Sequence, residues 1–327
     1  MKTLSPRTTK NSQCRQGVAG RIWVRGAITA AVVAFGFLIL TGCALADALQ
    51  HYQNPAEPLH EYALTVTSQG TPINVIKMTP QPATPTPASC QETQGAVNRV
   101  TFPSAELEDD FTFSIYTPPC YDSARPDAYP VVYLLHGQLQ DDRIWFDELG
   151  AAQIADAAIL AGRKPFVIVA PYEEDNFAPV VDSMFGAAVV KDLIPYVEAN
   201  YRVCTTRECR AIGGISHGAG WAVHIAIMNI DLFGSVGAHS VGYFIGDSTR
   251  IDRLLKTMTA QDFPRFYVDR GDRDYLADEI DALHRTLARN GIDHTYIVQA
   301  GSHSVSYWSA HIAEYLQWYM DGWDPPA

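Results

Sequence analysis

Hydrophobic and polar positions fall into short, regular segments from about residue 98 onward. Residues 98–102 and 111–116 alternate between apolar and polar side chains, as paired strands with one buried face do. Nearly continuous apolar runs follow, and these are typical of strands that are covered on both faces of a parallel sheet. The runs occupy residues 130–135, 166–170, 211–215, 235–238, 266–268 and 295–298.

Helical periodicity fills the gaps between these apolar runs. Apolar side chains recur at helical spacing in residues 144–160, 187–200, 221–230, 276–287 and 308–320. Gly291 supplies a stop after the fourth of these segments. Strands that alternate with helices predict an α/β fold with a mostly parallel central sheet flanked by helices. We assign residues 97–327 to this single domain.

Residues 1–42 have the pattern of a bacterial lipoprotein signal peptide. They carry six basic and no acidic residues, and their uncharged apolar run, 27–40, is too short for a comfortable membrane span. The run ends in Leu-Thr-Gly-Cys at 40–43, which resembles a lipobox with Cys43 as the lipidated residue. We expect an exported protein, lipid-anchored to the extracytoplasmic face of a bacterial membrane. An ordinary secretory signal or an N-terminal anchor helix is the alternative.

Residues 43–96 have the composition of a spacer. Proline and threonine dominate residues 79–88, and such a tract cannot build a core. The turn-forming residues around Gly70 predict a short hairpin within residues 63–78.

The net charge limits the partners of the exported chain. Without residues 1–42 the chain keeps 18 of its 24 basic residues and all 36 acidic residues, a formal charge of −18. Such a surface repels phosphate backbones, so nucleic-acid binding is excluded as a working hypothesis.

Four cysteines remain beyond Cys14 and Cys43, and four cysteines allow three pairings. Local spacing favours a disulfide between Cys204 and Cys209, which leaves Cys90 to pair with Cys120. Four free thiols are less expected in an oxidising compartment. A zinc site is weaker still, because no Cys-x-x-Cys or His-x-x-x-His spacing accompanies these cysteines. The sequence therefore calls for no metal and no other cofactor.

The motif Gly-Ile-Ser-His-Gly at 214–218 is the strongest chemical signal in the chain. It follows an apolar strand and opens a helical pattern, which is the setting of a nucleophile elbow centred on Ser216. Gly214 and Gly218 suit a strained turn in which strand and helix backbones approach closely. The alternative is that Ser216 only caps the helix.

A serine nucleophile requires a histidine base and a carboxylate that orients it. In α/β-hydrolases both follow the serine along the chain, the carboxylate first. His303 lies on a glycine-containing loop directly after the last apolar strand, and is the best base. His284 and His311 fall within helical patterns, and His294 stands at the wrong end of its strand. Three aspartates compete for the acid: Asp269, Asp272 and Asp274.

The oxyanion hole of such a site needs two N–H donors. One is expected from the backbone of His217, the residue after the nucleophile. The other is expected from the backbone of Gln138, in the loop after the third strand. His136 precedes Ser216, so its expected role is to hold that loop.

Several collinear stretches between residues 98 and 318 carry a resemblance to a known family. They are YTPPCYD at 116–122, YPVVYLLHG at 129–137, QDD at 140–142 with Trp145, DLIPYVEANYR at 192–202, GDRD at 271–274 and GSH at 301–303. The chain resembles the putative-esterase (esterase D-like) branch of the α/β-hydrolases. That branch includes feruloyl and acetyl-xylan esterases, siderophore esterases and secreted mycolyltransferases.

The resemblance implies a triad of Ser216, Asp274 and His303, and it raises Asp274 above Asp272. It also implies backbone donation by Gln138 and His217. Two positions depart from the family pattern. His217 stands where a small residue or methionine is usual, and Cys120 stands where glycine is common, which supports the bridge to Cys90.

We therefore expect an extracytoplasmic serine esterase that hydrolyses small-molecule or carbohydrate-linked carboxylic esters through an acyl-enzyme. Acyl transfer to a carbohydrate or lipid acceptor would use the same triad. A catalytically silent module that keeps the fold for binding is the alternative from another class of protein. Aromatic residues near the expected site loops are candidates for lining an acyl or aryl pocket, but are more often core residues: Trp145, Tyr172, Phe177, Phe185, Tyr243, Phe244 and Trp308.

Overall fold

The computed structural model describes residues 90–178, 180 and 183–323. The predicted signal peptide, Cys43, the hairpin and the Pro/Thr tract lie outside these residues, so these assignments stay predictions. Among the helices within the described ranges, none has the length and hydrophobicity of a membrane span.

Eight strands within the described residues form one sheet in the order β1-β2-β4-β3-β5-β6-β7-β8. Their bounds are β1 Ala96–Ser104, β2 Asp109–Thr117, β3 Val131–Leu135, β4 Val167–Pro171, β5 Arg210–Ile215, β6 Ser235–His239, β7 Arg265–Arg273 and β8 His294–Ser302. β2 pairs antiparallel with both β1 and β4, and the pairs among β3 to β8 are parallel. The mostly parallel sheet predicted from the apolar runs is therefore confirmed.

Helices cover both faces of this sheet. They are α1 Ile144–Asp147, α2 Ala151–Leu160, α3 Phe185–Ala188, α4 Ile194–Asn200, α5 His217–Met228, α6 Asp247–Leu254, α7 Ala277–Arg289 and α8 Val305–Trp323. A π-helical turn, Val189–Leu193, joins α3 to α4. Short 3₁₀ turns occupy Arg207–Cys209 and Ala260–Asp262.

Two hydrophobic clusters lie on opposite faces because side chains alternate along each buried strand. Val131, Tyr133 and Leu135 of β3 belong to the cluster that includes α3 to α7. Val132 and Leu134 belong to the cluster that includes α1, α2 and α8. The core thus fills both sides of the sheet and leaves the carboxyl ends of the parallel strands to the loops.

Three differences from the sequence prediction have local causes. A single helix over residues 144–160 was predicted, but Gly150 has a φ of 71° and separates α1 from α2. The strands β7 and β8 extend well beyond their apolar runs, because they pair with each other as far as Arg273 and Ser302. Helix α6 was not predicted, since its charged residues outnumber its apolar ones.

The two predicted disulfides are present. Cys90 is bonded to Cys120, and Cys204 is bonded to Cys209. Cys120 has a φ of 57°, a conformation in which glycine is the usual residue.

Candidate active site

Ser216 lies in a strained turn between β5 and α5. Its φ of 54° and ψ of −118° lie outside the regions that ordinary residues favour. A Cβ on Gly214 would lie 2.4 Å from the backbone carbon of Gly218. One on Gly218 would lie 2.4 Å from the backbone oxygens of Leu135 and His136. Only glycine permits this approach of β5, α5 and the end of β3.

The Ser216 hydroxyl contacts a histidine instead of capping its helix. Ser216 occupies the N-cap position of α5, yet its side chain makes no capping hydrogen bond. Its Oγ lies 2.8 Å from Nε2 of His303. Nδ1 of the same ring lies 3.0 Å and 3.1 Å from the two carboxylate oxygens of Asp274. A carboxylate only accepts, so Nδ1 carries the proton and Nε2 is free to accept the serine proton.

The positions of the three competing aspartates separate their roles. Asp274 follows β7 directly, is buried, and contacts His303. Asp272 lies at the exposed end of β7 and accepts a hydrogen bond from the backbone N–H of Gly301. Asp269 lies in the middle of β7 and faces the core. The structure therefore brings together Ser216, Asp274 and His303.

Asp274 is arranged to stay ionised. Burial acts to raise the pKa of its carboxyl, but hydrogen bonds from His303 and from the backbone N–H of Leu276 outweigh it and lower the pKa below its usual value. An ionised Asp274 keeps the His303 ring oriented and favours the imidazolium that forms when the ring takes a proton.

A second buried network lies around Asp269. One carboxylate oxygen is 2.8 Å from Nδ1 of His239, and the other accepts hydrogen bonds from the hydroxyls of Tyr307 and Tyr315, each at 2.8 Å. Burial and the nearby carboxylate raise the pKa of both tyrosines, so they remain donors. Tyr307 belongs to the first turn of α8, just after His303, so this network anchors the chain that carries the base.

Both backbone segments that carry the predicted oxyanion donors lie close to Ser216. His217 begins α5 immediately after it. The loop with Gln138 passes close by, since a Cβ on Gly137 would lie 3.4 Å from the Cβ of Ser216. Burial lowers the pKa of His136, and its Nε2 accepts the backbone N–H of Glu173 at 2.9 Å.

Sequence reasoning missed the loop after β4. Glu173 contacts both His217 and Trp221 through its carboxylate, and Asn176 contacts the loop that contains Gln138. A detectable signal was present, because four polar residues, 173–176, follow a buried strand at the edge where the other site residues gather.

Several apolar side chains are exposed on loops at this edge. Leu139, Phe177, Ile245 and Tyr275 follow β3, β4, β6 and β7 respectively, and all are more than half exposed. The rings of Tyr275 and His303 lie 4.5 Å apart. Of the aromatic candidates named from the sequence, Trp145 and Phe185 are core residues, and Trp308 is buried against His303.

The strand order, the elbow and the connected serine, histidine and aspartate define an α/β-hydrolase fold with a serine-hydrolase constellation. The protein-family model described as "Putative esterase" matches residues 104–319. The chain belongs to this family.

Known relatives agree with the assignment to this family. The chain is 26% identical over 172 residues to an endo-1,4-beta-xylanase/feruloyl esterase of Xylanibacter ruminicola, which covers 50% of this chain and 24% of the relative. The chain thus spans about a quarter of that relative's length. It is 23% identical over 223 residues to an acetyl esterase of Caldicellulosiruptor saccharolyticus, covering 57% of this chain and 82% of the relative.

Solved structures share the fold. A ferulic acid esterase superposes with a TM-score of 0.63 at 22% identity, covering 70% of this chain and 99% of that one.

Proposed function

We propose that this protein is an extracytoplasmic serine esterase that hydrolyses carboxylic esters through an acyl-enzyme. One observation carries the proposal: Ser216 Oγ, on a strained elbow and partly exposed, lies 2.8 Å from a His303 ring whose other nitrogen contacts Asp274. Because a hydroxyl is a weak nucleophile at neutral pH, it requires such an adjacent base.

The reaction follows from this geometry. His303 Nε2 takes the proton of Ser216 Oγ as the oxygen attacks the ester carbonyl, and Asp274 stabilises the imidazolium. The imidazolium then donates that proton to the alcohol oxygen, the ester bond breaks, and the acyl group stays on Ser216. Water repeats the sequence with His303 as the base, which releases the acid and restores the hydroxyl.

Backbone amides are proposed to stabilise the oxyanion of each tetrahedral intermediate. The donors are the N–H groups of His217 and Gln138. The N-terminus of α5 adds the partial positive charge of a helix start at the same place.

The proposed substrates are small-molecule or carbohydrate-linked esters. The names of the xylanase/feruloyl esterase and the acetyl esterase support this class. Exposed apolar side chains on four loops of the site edge suit an apolar or aromatic acyl group.

Export is proposed on the basis of the signal-like residues 1–42 and the two disulfides, which persist in oxidising compartments. Attachment through a lipid on Cys43 extends this proposal. Incorporation of labelled palmitate in a bacterial host, compared between wild type and Cys43→Ser, tests the anchor.

The decisive experiment is fluorophosphonate labelling of the protein, together with hydrolysis of a short activated ester. We expect the label on Ser216, and we expect Ser216→Ala to lose activity by roughly 10⁴-fold or more with the fold intact. The exposed serine Ser306, in the first turn of α8, supplies the matched control, and Ser306→Ala should retain both labelling and activity. Failure of the folded wild type to label and hydrolyse would overturn the proposal in favour of a silent binding module.

A further inference from the structure

The segment after β4, residues 173–176, contacts both sides of the proposed oxyanion hole. It is not part of the triad, and none of its side chains touches Ser216 or His303 among the hydrogen bonds of the described residues. Glu173 and Asn176 are nonetheless only 4% and 6% exposed. Burying a carboxylate is unfavourable unless its hydrogen bonds compensate for the lost hydration. The contacts that Glu173 makes are therefore the key to its role.

On one side, the Glu173 side chain contacts the start of α5. Its Oε2 lies 3.0 Å from Nε2 of His217, and its Oε1 accepts the indole N–H of Trp221 at 2.9 Å. The His217 ring also packs against Phe244, with ring centroids 5.6 Å apart. The side chain of His217 is therefore held in one position, and its own backbone N–H is one proposed oxyanion donor.

On the other side, the same segment contacts the loop that carries the second donor. The backbone N–H of Glu173 donates to Nε2 of His136, whose Nδ1 lies 2.8 Å from the carbonyl oxygen of Gly137. The Gln138 side chain donates to the carbonyl oxygen of Asn176 at 3.2 Å. The Asn176 side-chain amide donates in turn to the carbonyl oxygen of Glu173 at 3.4 Å.

We propose that Glu173 is a positioning residue for the oxyanion hole, acting through the side chain of His217. This inference rests on the proposed esterase function. It also gives a physical reason for histidine at 217, where the family usually has a small residue or methionine. A methionine offers no N–H to a buried carboxylate, whereas the imidazole does.

Replacing Glu173 should reduce stabilisation of the transition state more than it reduces binding of the substrate. The substrate carbonyl carries little charge, so it gains little from well-aligned N–H donors, while the tetrahedral oxyanion gains much. Misplacing a donor by a fraction of an ångström should therefore lower kcat and leave KM nearly unchanged.

The test compares Glu173→Ala and Glu173→Gln with Glu174→Gln, which changes the same kind of side chain on the exposed neighbouring residue. Steady-state kinetics with an activated ester and inhibition by a trifluoromethyl ketone are measured for each folded variant. The ketone is the sharper probe, since its adduct with Ser216 places an oxyanion in the hole. Circular dichroism and thermal unfolding verify the fold.

We expect Glu173→Ala to lower kcat by about ten- to a hundredfold with KM within about twofold, and to weaken the ketone by the same factor as kcat/KM. Glu173→Gln keeps the volume and one acceptor, so it should recover part of the loss, and it tests the proposal if the alanine variant does not fold. Glu174→Gln should match wild type. Unchanged kcat in folded Glu173→Gln and Glu173→Ala, or a fall in kcat without weaker ketone binding, would overturn the proposal.

A double-mutant cycle tests the route through His217. If Glu173 acts through that ring, the double variant His217→Met/Glu173→Gln should lose no more kcat than the more impaired of the two single variants. Additive losses would contradict the route. Loss of the proposed esterase function is distinguishable, because it would appear as inactivity of the wild type and not as a difference among the Glu173 variants.

Discussion

At the scale of single residues, the choice among three aspartates depends on what each carboxylate contacts. Asp274 contacts His303, Asp272 contacts a backbone N–H, and Asp269 contacts a buried histidine and two tyrosines. All three are aspartates within a stretch of six residues, so their side chains have the same chemistry. Only the surroundings of each carboxylate differ. The structure favours Asp274 as the partner of the base, in agreement with the family resemblance.

Asp274→Asn should therefore lower kcat/KM by about 10³–10⁴-fold, because an amide does not hold the His303 proton on Nδ1 as a carboxylate does. Asp272→Asn is the matched control, since its amide oxygen can still accept the Gly301 N–H. Kinetics of ester hydrolysis by both variants decide the assignment. Equal losses of kcat/KM in the two variants would contradict the assignment of Asp274 as the carboxylate that orients His303.

At the scale of elements, the site depends on how closely β3, β5 and α5 approach one another. Gly218 lies where α5 crosses the end of β3, and the backbone oxygens of Leu135 and His136 occupy the space that a side chain would need. Backbone atoms within a buried sheet cannot move aside cheaply. The elbow is thus a property of three packed elements together.

Gly218→Ala should destabilise the protein by about 2–3 kcal/mol despite the helix propensity that alanine adds, because the new methyl group overpacks this junction. Gly242→Ala is the control near the same site: its Cβ would lie 3.6 Å from the nearest atom, and it should cost less than about 1 kcal/mol. The midpoints of urea unfolding measure both. A Gly218→Ala variant as stable as wild type would show that β3, β5 and α5 can move apart with little loss in the free energy of unfolding.

At the scale of the whole molecule, two covalent links restrict the unfolded chain to different degrees. Cys90 and Cys120 are separated by 30 residues, so their bond ties the start of the described domain to the segment after β2. Cys204 and Cys209 are separated by five residues and close a small loop before β5. A longer closed loop removes more conformational entropy from the unfolded state.

Replacing the first pair by serine should lower the free energy of unfolding by about 3.5 kcal/mol, and replacing the second by about 2 kcal/mol. Neither bond touches the triad, so kcat of the folded variants should stay near the wild-type value. Denaturant unfolding of C90S/C120S and C204S/C209S gives the comparison. A larger loss of stability for C204S/C209S than for C90S/C120S would mean that contacts in the native state, and not chain entropy, determine how much each disulfide stabilises the protein.

The sequence by itself determined the features that depend on local order. Apolar runs predicted the strands of the parallel sheet, because strands buried on both faces need apolar side chains throughout. The motif at 214–218 located the turn that presents Ser216, and a glycine-containing loop after the last strand located His303. Local spacing and elimination also predicted both disulfides.

Only the tertiary structure decided features that depend on distant parts of the chain. His303 and Ser216 are 87 residues apart, and Glu173 and His217 are 44 apart, so no local pattern reports these contacts. The helix break at Gly150 was also invisible, because the apolar periodicity continues on both sides of it. Hydrophobic order along a chain specifies which faces are buried, whereas packing specifies which polar groups meet at the edge of the sheet.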